Sequence, residues 1–413
     1  MKTTIEILII GNEILSGRTA DSNGPYMRDR LVMAGYDVDF ISVIGDTRES
    51  IVGAAQIAAG RADIVLVSGG LGPTSDDMTA ESIAVAFGLK LRLDDKVLDT
   101  IRDRFIKFGR VMSESNTSQA MVPVGATVIH NPVGTAPGIR LHVSESDATF
   151  YLMPGVPKEI RAIFDETVLP EIVKSYQTAK FEFATVSVNG VPESELYDRI
   201  KHLPGAEQAL AYYPKFSGIE IRIRTGENAP ATAEELKHAI VKEFGDCVFS
   251  TSAETLEQAV GNILSARGLT VAIAESCTGG LISNRLTNVS GSSAYMLYGA
   301  VTYSNESKSS ALGVDMELIQ KHGAVSEPVA REMAEGVRKM SGADIGISTT
   351  GIAGPTGGSA DKPIGLMFTG ISDIFGTDTK KLQFVEDRLI NKSRMSQAVL
   401  DMLRHRLIAK HGG

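Results

Sequence analysis

The sequence has 413 residues, of which 43% are hydrophobic and 22% charged, with a formal net charge of −9 and only two cysteines. The length and globular composition predict roughly two to four domains, and the acidic balance argues against a general nucleic-acid or membrane-surface role. Cys247 and Cys277 are too few for a disulfide framework or a zinc knuckle and favour a reducing compartment. Because the apolar stretch Ile5–Ile10 is too short for a signal sequence or a membrane span, a cytoplasmic protein is expected.

In the first third of the chain, short runs rich in Ile and Val alternate with amphipathic stretches. The expected strands and helices are, in chain order, Ile5–Ile10, Asn23–Ala34, Val38–Ile44, Arg48–Ala59, Ile64–Ser68 and Thr79–Phe87. Each helix is followed by a glycine, as is common just beyond a helix C-terminus. This alternation predicts βαβ units around a mainly parallel sheet.

Two further units follow along the chain. Residues 181–250 alternate between strand and helix patterns and predict a small α+β module. The last third begins with a helix at Leu256–Ala266 and a strand at Thr270–Ala274 and ends with a helix at Met395–Ala409. The predicted fold class is therefore α/β, in three units that span residues 1–168, 169–252 and 253–413.

A glycine-rich loop, Ser68–Asp77, directly follows the apolar strand that begins at Ile64 and precedes a helix. Its glycines allow backbone N–H groups to approach a ligand closely, and the helix N-terminus behind them favours an anion. Asp76 and Asp77 would repel a bare phosphate, so they indicate a divalent cation between protein and ligand. The alternative is a Gly-Pro turn in which the aspartates cap the helix.

Two other loops in this unit, Asn131–Gly138 and Met153–Glu159, are dense in glycine and proline. Three such loops in one α/β unit suggest a site assembled at the C-terminal ends of strands. Together with Gly11–Gly17, they closely resemble the N-terminal domain of the CinA family, which shares the molybdopterin-binding fold.

That resemblance implies a metal-dependent pyrophosphatase acting on ADP-ribose-like dinucleotides. Under it, Asp76 and Asp77 are expected to hold a divalent metal ion. The residues expected to contact phosphate are Gly69, Gly70, Gly72, Thr74, Asn131, Gly134, Thr135 and Gly155. Because molybdopterin binders share the fold, the fold alone does not establish the activity.

In the last unit, the loop Glu275–Gly280 lies between a strand and a helix and contains hydroxyls, a thiol and two glycines. Such a loop at a helix start can form a phosphate or carboxylate cradle, or it can simply be a well-capped helix. Cys277 is a candidate nucleophile, but no histidine is obviously paired with it. A small buried hydrophobic residue is the favoured interpretation.

A serine nucleophile in this unit would need a base other than histidine. His322 is the only histidine between residues 239 and 404, and no G-x-S-x-G motif is present, so a Ser-His-Asp triad is disfavoured. A lysine can replace histidine if burial lowers its pKa. Lys308 lies in a serine-rich turn after a strand and is a candidate, the alternative being an ordinary solvated lysine.

Several motifs in order resemble the C-terminal domain of the CinA family, which also exists alone as nicotinamide mononucleotide deamidase. They are A-E-S-C-T-G-G from residue 274, G-S-S from 291, V-T-Y-S-N-E-x-K from 301, H-G-A-V-S-E from 322 and G-I-A-G-P-x-G-G-S from 351. The resemblance implies a serine–lysine pair assisted by a tyrosine and an arginine. These roles fall on Ser293, Lys308, Tyr303 and Arg388.

The arginine of the family belongs to a G-D-R stretch, and here Glu386 stands in place of the glycine. Arg388 is the expected match and Arg394 the second candidate. Ser293 is expected to attack the nicotinamide carboxamide while Lys308 accepts its proton, without a cofactor. Residues expected to bind substrate or oxyanion are Ser276, Thr278, Gly279, Gly280, Gly351, Gly354 and Arg394.

The expected partners are small-molecule pyridine nucleotides and ADP-ribose-like dinucleotides. The resemblance also suggests a homodimer, and neither nucleic acid nor a membrane is expected as a partner. One alternative is a regulatory or adaptor protein, linked to competence or DNA damage, with one domain inactive. Another is a nucleic-acid adaptor built on a KH-like middle module, but residues 181–250 contain no G-x-x-G loop.

Overall fold

The computed structural model describes residues 3–176, 181–385 and 387–411. The chain divides into two compact units, with the division between Phe181 and Glu182. Sheets and helices occur in both, which confirms the mixed α/β class. No helix in the described ranges is long and apolar enough to cross a membrane.

The first unit is built around one six-stranded sheet and a short two-stranded ribbon. Its strands are β1 (Ile5–Ile10), β2 (Phe40–Ile44), β3 (Ile64–Ser68), β4 (Leu91–Leu93), β5 (Met121–Pro123), β6 (Thr127–Ile129), β7 (Gly138–Val143) and β8 (Ala148–Met153). The sheet order is β2-β1-β3-β8-β7-β6, and β4 pairs with β5. The first four strands of this order are parallel, and β7 runs antiparallel to β8 and β6.

Helices cover both faces of this sheet because its central strands are apolar on both faces. The helices are α1 (Asn12–Leu15), α2 (Asn23–Met33), α3 (Arg48–Ala59), α4 (Thr79–Ala86), α5 (Asp95–Lys107), α6 (Pro157–Ile163) and α7 (Leu169–Ser175). In β1, Leu8 packs into the core under α3 and α4, whereas Ile7 packs into the core under α2, α6 and α7. Because β2, β1, β3 and β8 are parallel, their C-terminal ends lie at the same edge of the sheet.

The second unit begins with a four-stranded sheet. Its strands are β9 (Phe181–Val188), β10 (Leu210–Lys215), β11 (Gly218–Gly226) and β12 (Val248–Ser250), in the order β10-β11-β9-β12. Its helices are α8 (Glu193–Ile200), α9 (Ala206–Ala209) and α10 (Ala233–Phe244). This is the expected α+β module, with one additional strand, β10, whose residues are mostly exposed.

A five-stranded sheet forms the rest of the second unit. Its strands are β13 (Val271–Glu275), β14 (Met296–Val301), β15 (Ile345–Gly351), β16 (Leu366–Asp373) and β17 (Gly376–Gln383), in the order β14-β13-β15-β16-β17. The helices are α11 (Leu256–Arg267), α12 (Leu281–Thr287), α13 (Asn305–Leu312), α14 (Met316–His322), α15 (Glu327–Ser341) and α16 (Arg388–His411). Strands β14, β13 and β15 are parallel, so their C-terminal ends share one edge.

Helix α16 joins the two sheets of the second unit. Its Gln397 side chain donates to the carbonyl of Ser217, in the turn between β10 and β11, at 2.8 Å. Its Arg404 side chain, which is 2% exposed, donates to the carbonyls of Asp246 at 2.5 Å and Val248 at 3.2 Å. These buried contacts hold the small α+β module against the five-stranded sheet.

Candidate functional site

A cavity of about 430 Å³ lies in the first unit where β1, β3 and β8 end. Seven of the residues expected at metal or phosphate line it: Gly69, Gly70, Gly72, Asp76, Asp77, Thr135 and Gly155. Three further carboxylates that sequence analysis did not single out also line it: Glu13, Asp46 and Glu159. The cavity is therefore strongly acidic.

Two glycines are required by the turn that carries the aspartates. Gly69 and Gly70 have φ values of +114° and +67°, in the region that only glycine adopts readily. A Cβ on Gly69 would lie 2.2 Å from the carbonyl oxygen of Ile10, and one on Gly70 would lie 2.2 Å from Thr79 Oγ1. The turn can therefore pack between β1 and α4 only without side chains.

Thr74 orients the aspartates instead of lining the cavity. Its N–H donates to Asp77 Oδ2 at 3.0 Å, and its hydroxyl donates to the same oxygen. The pKa of Asp76 is also lowered, because its carboxylate accepts hydrogen bonds from the Thr74 side chain and from the backbone N–H of Asp76 itself. In this structure Thr74 therefore contacts the aspartates and does not line the cavity.

Asn131 and Gly134 likewise lie outside the lining of this cavity. Asn131 Oδ1 accepts the N–H groups of Val133 at 2.9 Å and Gly134 at 2.8 Å, and its Nδ2 donates to Glu159 at 2.8 Å. Arg104 donates to the carbonyl of Pro132 at 2.7 Å. These contacts shape the loop that presents Thr135, so Asn131 and Gly134 support the cavity from outside its lining.

In the described ranges, no three His, Cys, Asp or Glu side chains lie close enough together to hold a metal ion. Asp76 and Asp77 nevertheless offer the oxygen ligands that Mg²⁺ and Ca²⁺ prefer. Mg²⁺ in particular commonly takes one or two carboxylates, with water and substrate phosphate completing its shell. The donor set fits an ion of that kind.

A second constellation lies in the second unit, around the side chain of Lys308. Ser304 caps α13 by accepting the N–H of Ser307 at 3.1 Å, and the next residue, Lys308, is only 1% exposed. Its Nζ donates to Ser276 Oγ at 3.2 Å, and to the carbonyls of Thr302 at 2.9 Å and Tyr303 at 3.1 Å. Burial lowers the pKa of Lys308, because desolvation disfavours the ammonium form.

Ser276, which is 8% exposed, follows directly after β13. Its N–H donates to the carbonyl of Thr349, in β15, at 3.0 Å. Strands β13 and β14 are parallel neighbours, so both end at the same edge of the sheet. Ser276 follows β13 and Lys308 follows β14, and the two residues therefore meet at that edge. A serine hydroxyl in hydrogen-bond contact with a lysine of lowered pKa is the arrangement that nucleophilic catalysis requires.

The expected pairing of Ser293 with Lys308 is wrong in this structure. Ser293 precedes β14, where the carbonyl of Tyr295 accepts the N–H of Val271, the first residue of β13. Lys308 follows the other end of the strand. Six residues of strand separate these ends by about 20 Å, and the exposed Ser293 lies far from the lysine.

Of the two alternatives for the loop after Ser276, the structure shows the capped helix start. The wholly buried carboxylate of Glu275 accepts the N–H groups of Gly280 at 3.0 Å, Ile282 at 3.1 Å and Ser283 at 2.9 Å. A helix N-terminus binds anions through such groups, and here a protein carboxylate already occupies them. Thr278 is also wholly buried, and its Oγ1 lies 2.7 Å from Thr349 Oγ1, so its hydroxyl is engaged within the protein.

Arg388, Tyr303 and Gly354 come together as expected. Arg388 donates to the carbonyl of Gly354 at 2.7 Å and to the Tyr303 hydroxyl at 3.0 Å. Glu386, which stands in the family's glycine position, lies outside the described residues. Arg394 instead lines a separate cavity with Lys215 and Phe216, and its expected role as a second candidate is not supported.

Gly351 and Cys277 have packing roles. A Cβ on Gly351 would lie 2.5 Å from the Met367 side chain, so this glycine allows β15 and β16 to approach. Cys277 is 5% exposed within the core, and burial raises its pKa to about 12. A thiol with that pKa is not ionised at neutral pH, which agrees with the packing interpretation.

Comparison with known proteins relates the chain to one family over its whole length. Family models match residues 6–174 (probable molybdopterin binding domain), 184–250 (damage-inducible protein CinA KH domain) and 253–407 (CinA C-terminal domain). A putative competence-damage inducible protein of Caldicellulosiruptor saccharolyticus is 40% identical over 98% of this chain and 99% of its own. A CinA-like protein of Salinibacter ruber is 39% identical over 97% and 99%.

Among solved structures, the competence/damage inducible protein CihA of Agrobacterium tumefaciens is 39% identical, covering 36% of this chain and 91% of its own, with a TM-score of 0.35. The protein CinA of Thermoplasma acidophilum is 35% identical, covering 42% and 98%, with a TM-score of 0.38. The full-length relatives settle the relationship: the chain belongs to the CinA family.

Proposed function

We propose that the second unit hydrolyses the carboxamide of nicotinamide mononucleotide, giving nicotinic acid mononucleotide and ammonia. The observation that carries the proposal is the buried contact of 3.2 Å between Lys308 Nζ and Ser276 Oγ. The choice of substrate rests on the resemblance of the motifs to the deamidase domain. The contact supports the reaction class, which is acyl transfer through a serine ester.

The reaction proceeds through an ester of Ser276. Its Oγ attacks the carboxamide carbon while neutral Lys308 accepts the hydroxyl proton. The ammonium of Lys308 then returns that proton to the amide nitrogen, the C–N bond breaks and ammonia leaves. Water attacks the ester, Lys308 accepts a proton from it, and return of the proton to Oγ frees Ser276 and releases the acid.

The oxyanion of the tetrahedral intermediate requires N–H donors beside Ser276. Three donors from the two expected loops are already engaged, since Gly279 donates to Ser276, Gly280 to Glu275 and Ile352 to Leu366. The N–H groups of Thr278 and Gly354 are the candidates we retain. Arg388, held by Gly354 and Tyr303, adds a positive charge beside Gly354.

We propose a second activity for the acidic cavity of the first unit, the cleavage of the pyrophosphate of ADP-ribose-like dinucleotides. Five carboxylates line this cavity, and a phosphate would be repelled from it without a cation. A divalent ion held at Asp76 and Asp77 would supply charge neutralisation of the pyrophosphate. Thr74 and the glycine turn hold the two aspartates in place for it.

The test uses the purified full-length chain with each substrate in turn. Nicotinamide mononucleotide should yield equimolar ammonia and nicotinic acid mononucleotide, and Ser276→Ala should yield neither. ADP-ribose should be cleaved only with a divalent cation, and deamidation should survive chelation. A protein that turned over neither substrate would instead support the alternative of a regulatory or adaptor protein.

A further inference from the structure

The phosphate of the mononucleotide needs a positive partner, and the structure removes the obvious one. The N-terminus of α12 is closed by the buried carboxylate of Glu275, which accepts three backbone N–H groups there. A dianionic phosphate brought to that point would meet a carboxylate rather than free N–H donors. The positive charge that binds the phosphate must therefore come from a side chain near Ser276.

Arg388 alone meets this need incompletely. One of its terminal nitrogens donates to the carbonyl of Gly354 and the other to the Tyr303 hydroxyl. Two of the five N–H donors of the guanidinium are thus engaged in holding two loops together, which fixes its position. The donors that remain can contact a phosphate only from that position, and one guanidinium carries one positive charge against the two negative charges of the phosphate.

Lys392 lies one turn after Arg388 on α16, so the two side chains leave the helix on the same face. Its Nζ is 3.4 Å from the point where a Cβ on Gly279 would stand. The ammonium is therefore directly beside the glycine turn that follows Ser276. Among the described residues, no carboxylate forms an ion pair with it.

One β-turn separates the reacting serine from the glycine that Lys392 contacts. Gly279 donates its N–H to the carbonyl of Ser276 at 3.2 Å, which closes a β-turn whose ends lie within about 7 Å of each other. The amine stands just outside the far end of that turn. A ligand with its carboxamide at Ser276 can thus extend its phosphate toward Lys392.

Resting on the proposed deamidation, we propose that Lys392 binds the 5′-phosphate and makes the enzyme select the mononucleotide over its dephosphorylated riboside. Gly279 keeps the approach to the amine open, because a Cβ there would lie 3.4 Å from Lys392 Nζ. Neither Gly279 nor Gly280 needs to bind phosphate through its own N–H.

The test compares Lys392→Gln with wild type on two substrates, nicotinamide mononucleotide and nicotinamide riboside. For the mononucleotide, KM should rise about ten- to a hundredfold with kcat little changed, because a charged hydrogen bond is lost. The riboside should be turned over equally by both proteins. Lys392→Arg should restore most of the lost affinity, and Lys410→Gln, on the last turn of α16, should match wild type.

A loss of efficiency on both substrates alike, or an unchanged KM for the mononucleotide, would overturn the assignment of Lys392. If wild type fails to turn over the riboside, affinities of the inactive Ser276→Ala and Ser276→Ala/Lys392→Gln proteins for the two compounds replace the kinetic constants. If wild type fails on the mononucleotide itself, the proposed function is what has failed. The two failures are therefore distinguishable.

Discussion

The amine of Lys308 is surrounded by one hydroxyl and by backbone carbonyls, at a side chain that is 1% exposed. Burial lowers its pKa from the ordinary value of 10.5. Only the neutral amine can accept the proton of Ser276. The lowered pKa therefore increases the fraction of enzyme that is ready to react near neutral pH.

We accordingly expect kcat/KM for deamidation to fall as pH drops below the pKa of Lys308, by about tenfold per pH unit once the amine is largely charged. The midpoint of the acidic limb should lie below pH 10.5, the ordinary pKa of lysine. A pH–rate profile measures it. Lys308→Arg keeps the charge but cannot lose a proton at these pH values, so an active Lys308→Arg protein would contradict the role of base.

The serine and the lysine should also act as a unit. We expect Ser276→Ala and Lys308→Ala each to lower kcat by on the order of 10⁴-fold or more, and the double variant to be no worse, as for other coupled nucleophile–base pairs. Single-turnover assays of ammonia release measure this. Ser293→Ala and Cys277→Ala are the matched controls and should stay active; an inactive Ser293→Ala with an active Ser276→Ala would reverse our assignment.

Sequence alone singled out both Ser276 and Lys308 but did not pair them. The sequence places Ser293 nearer to Lys308 than Ser276 is, yet β14 lies between Ser293 and Lys308 and separates them. Ser276 reaches the lysine only because β13 and β14 run parallel and adjacent. That pairing depends on strand order, which is a property of the folded sheet.

At the scale of elements, one buried ion pair fixes α16 to the hairpin of β16 and β17. Arg406 donates to Asp373 at 2.6 and 2.8 Å, and the Asp373 side chain is wholly buried. Burial alone would raise the pKa of Asp373, but hydrogen bonds from Arg406 and His411 outweigh it and lower the pKa to about 2. Arg406 also contacts Asp378, whose side chain is 64% exposed.

Asp373→Asn should lower the free energy of unfolding of the second unit by about 3–5 kcal/mol, because it removes the buried counter-charge of the guanidinium and leaves only the exposed Asp378. Because the folded pKa of Asp373 is depressed, its contribution is present above the unfolded pKa of about 3.9. It should be lost as pH falls toward about 2. Urea unfolding at several pH values measures both effects.

The control is Asp378→Asn, which removes the exposed partner of the same arginine. It should cost less than about 1 kcal/mol, as exposed ion pairs do. Equal losses for the two variants would show that burial of Asp373 is not what makes the pair matter.

Elements with strong apolar runs could be predicted from sequence, and polar ones could not. The helix Arg48–Ala59 and the strands Ile5–Ile10 and Ile64–Ser68 have the predicted bounds. Strand β17, Gly376–Gln383, was not predicted because it is a largely exposed edge strand with one apolar residue. It belongs to the sheet because it pairs antiparallel with β16. The amino-acid composition of the segment does not predict that pairing.

At the scale of the whole molecule, the two proposed activities belong to separate compact units. Asp77→Asn should abolish pyrophosphate cleavage, because the cation loses a ligand, and should leave deamidation unchanged. Ser276→Ala should do the reverse. Parallel assays of both reactions on each purified variant, with Asp99→Asn as an exposed control in the first unit, measure this.

If Asp77→Asn kept full pyrophosphatase activity, Asp77 would not be a ligand of the metal ion. Loss of deamidation in the same variant would mean that the units depend on each other. The acidic lining of the cavity could be anticipated only in part, since Glu13, Asp46 and Glu159 come from distant segments that meet at the end of the sheet.

Helix α16 also determines when the chain can finish folding. Its Met395, Val399 and Leu403 are buried in the same core as residues of α11 and β13, which precede them by more than a hundred positions in the sequence. The N-terminal part of a nascent chain leaves the ribosome first, and domains fold as they emerge. The first unit therefore has all its elements before residue 182, whereas the five-stranded sheet waits for the last helix. A nascent chain that stalled just after Gln383 would carry a folded first unit and a complete five-stranded sheet that lacks its covering helix.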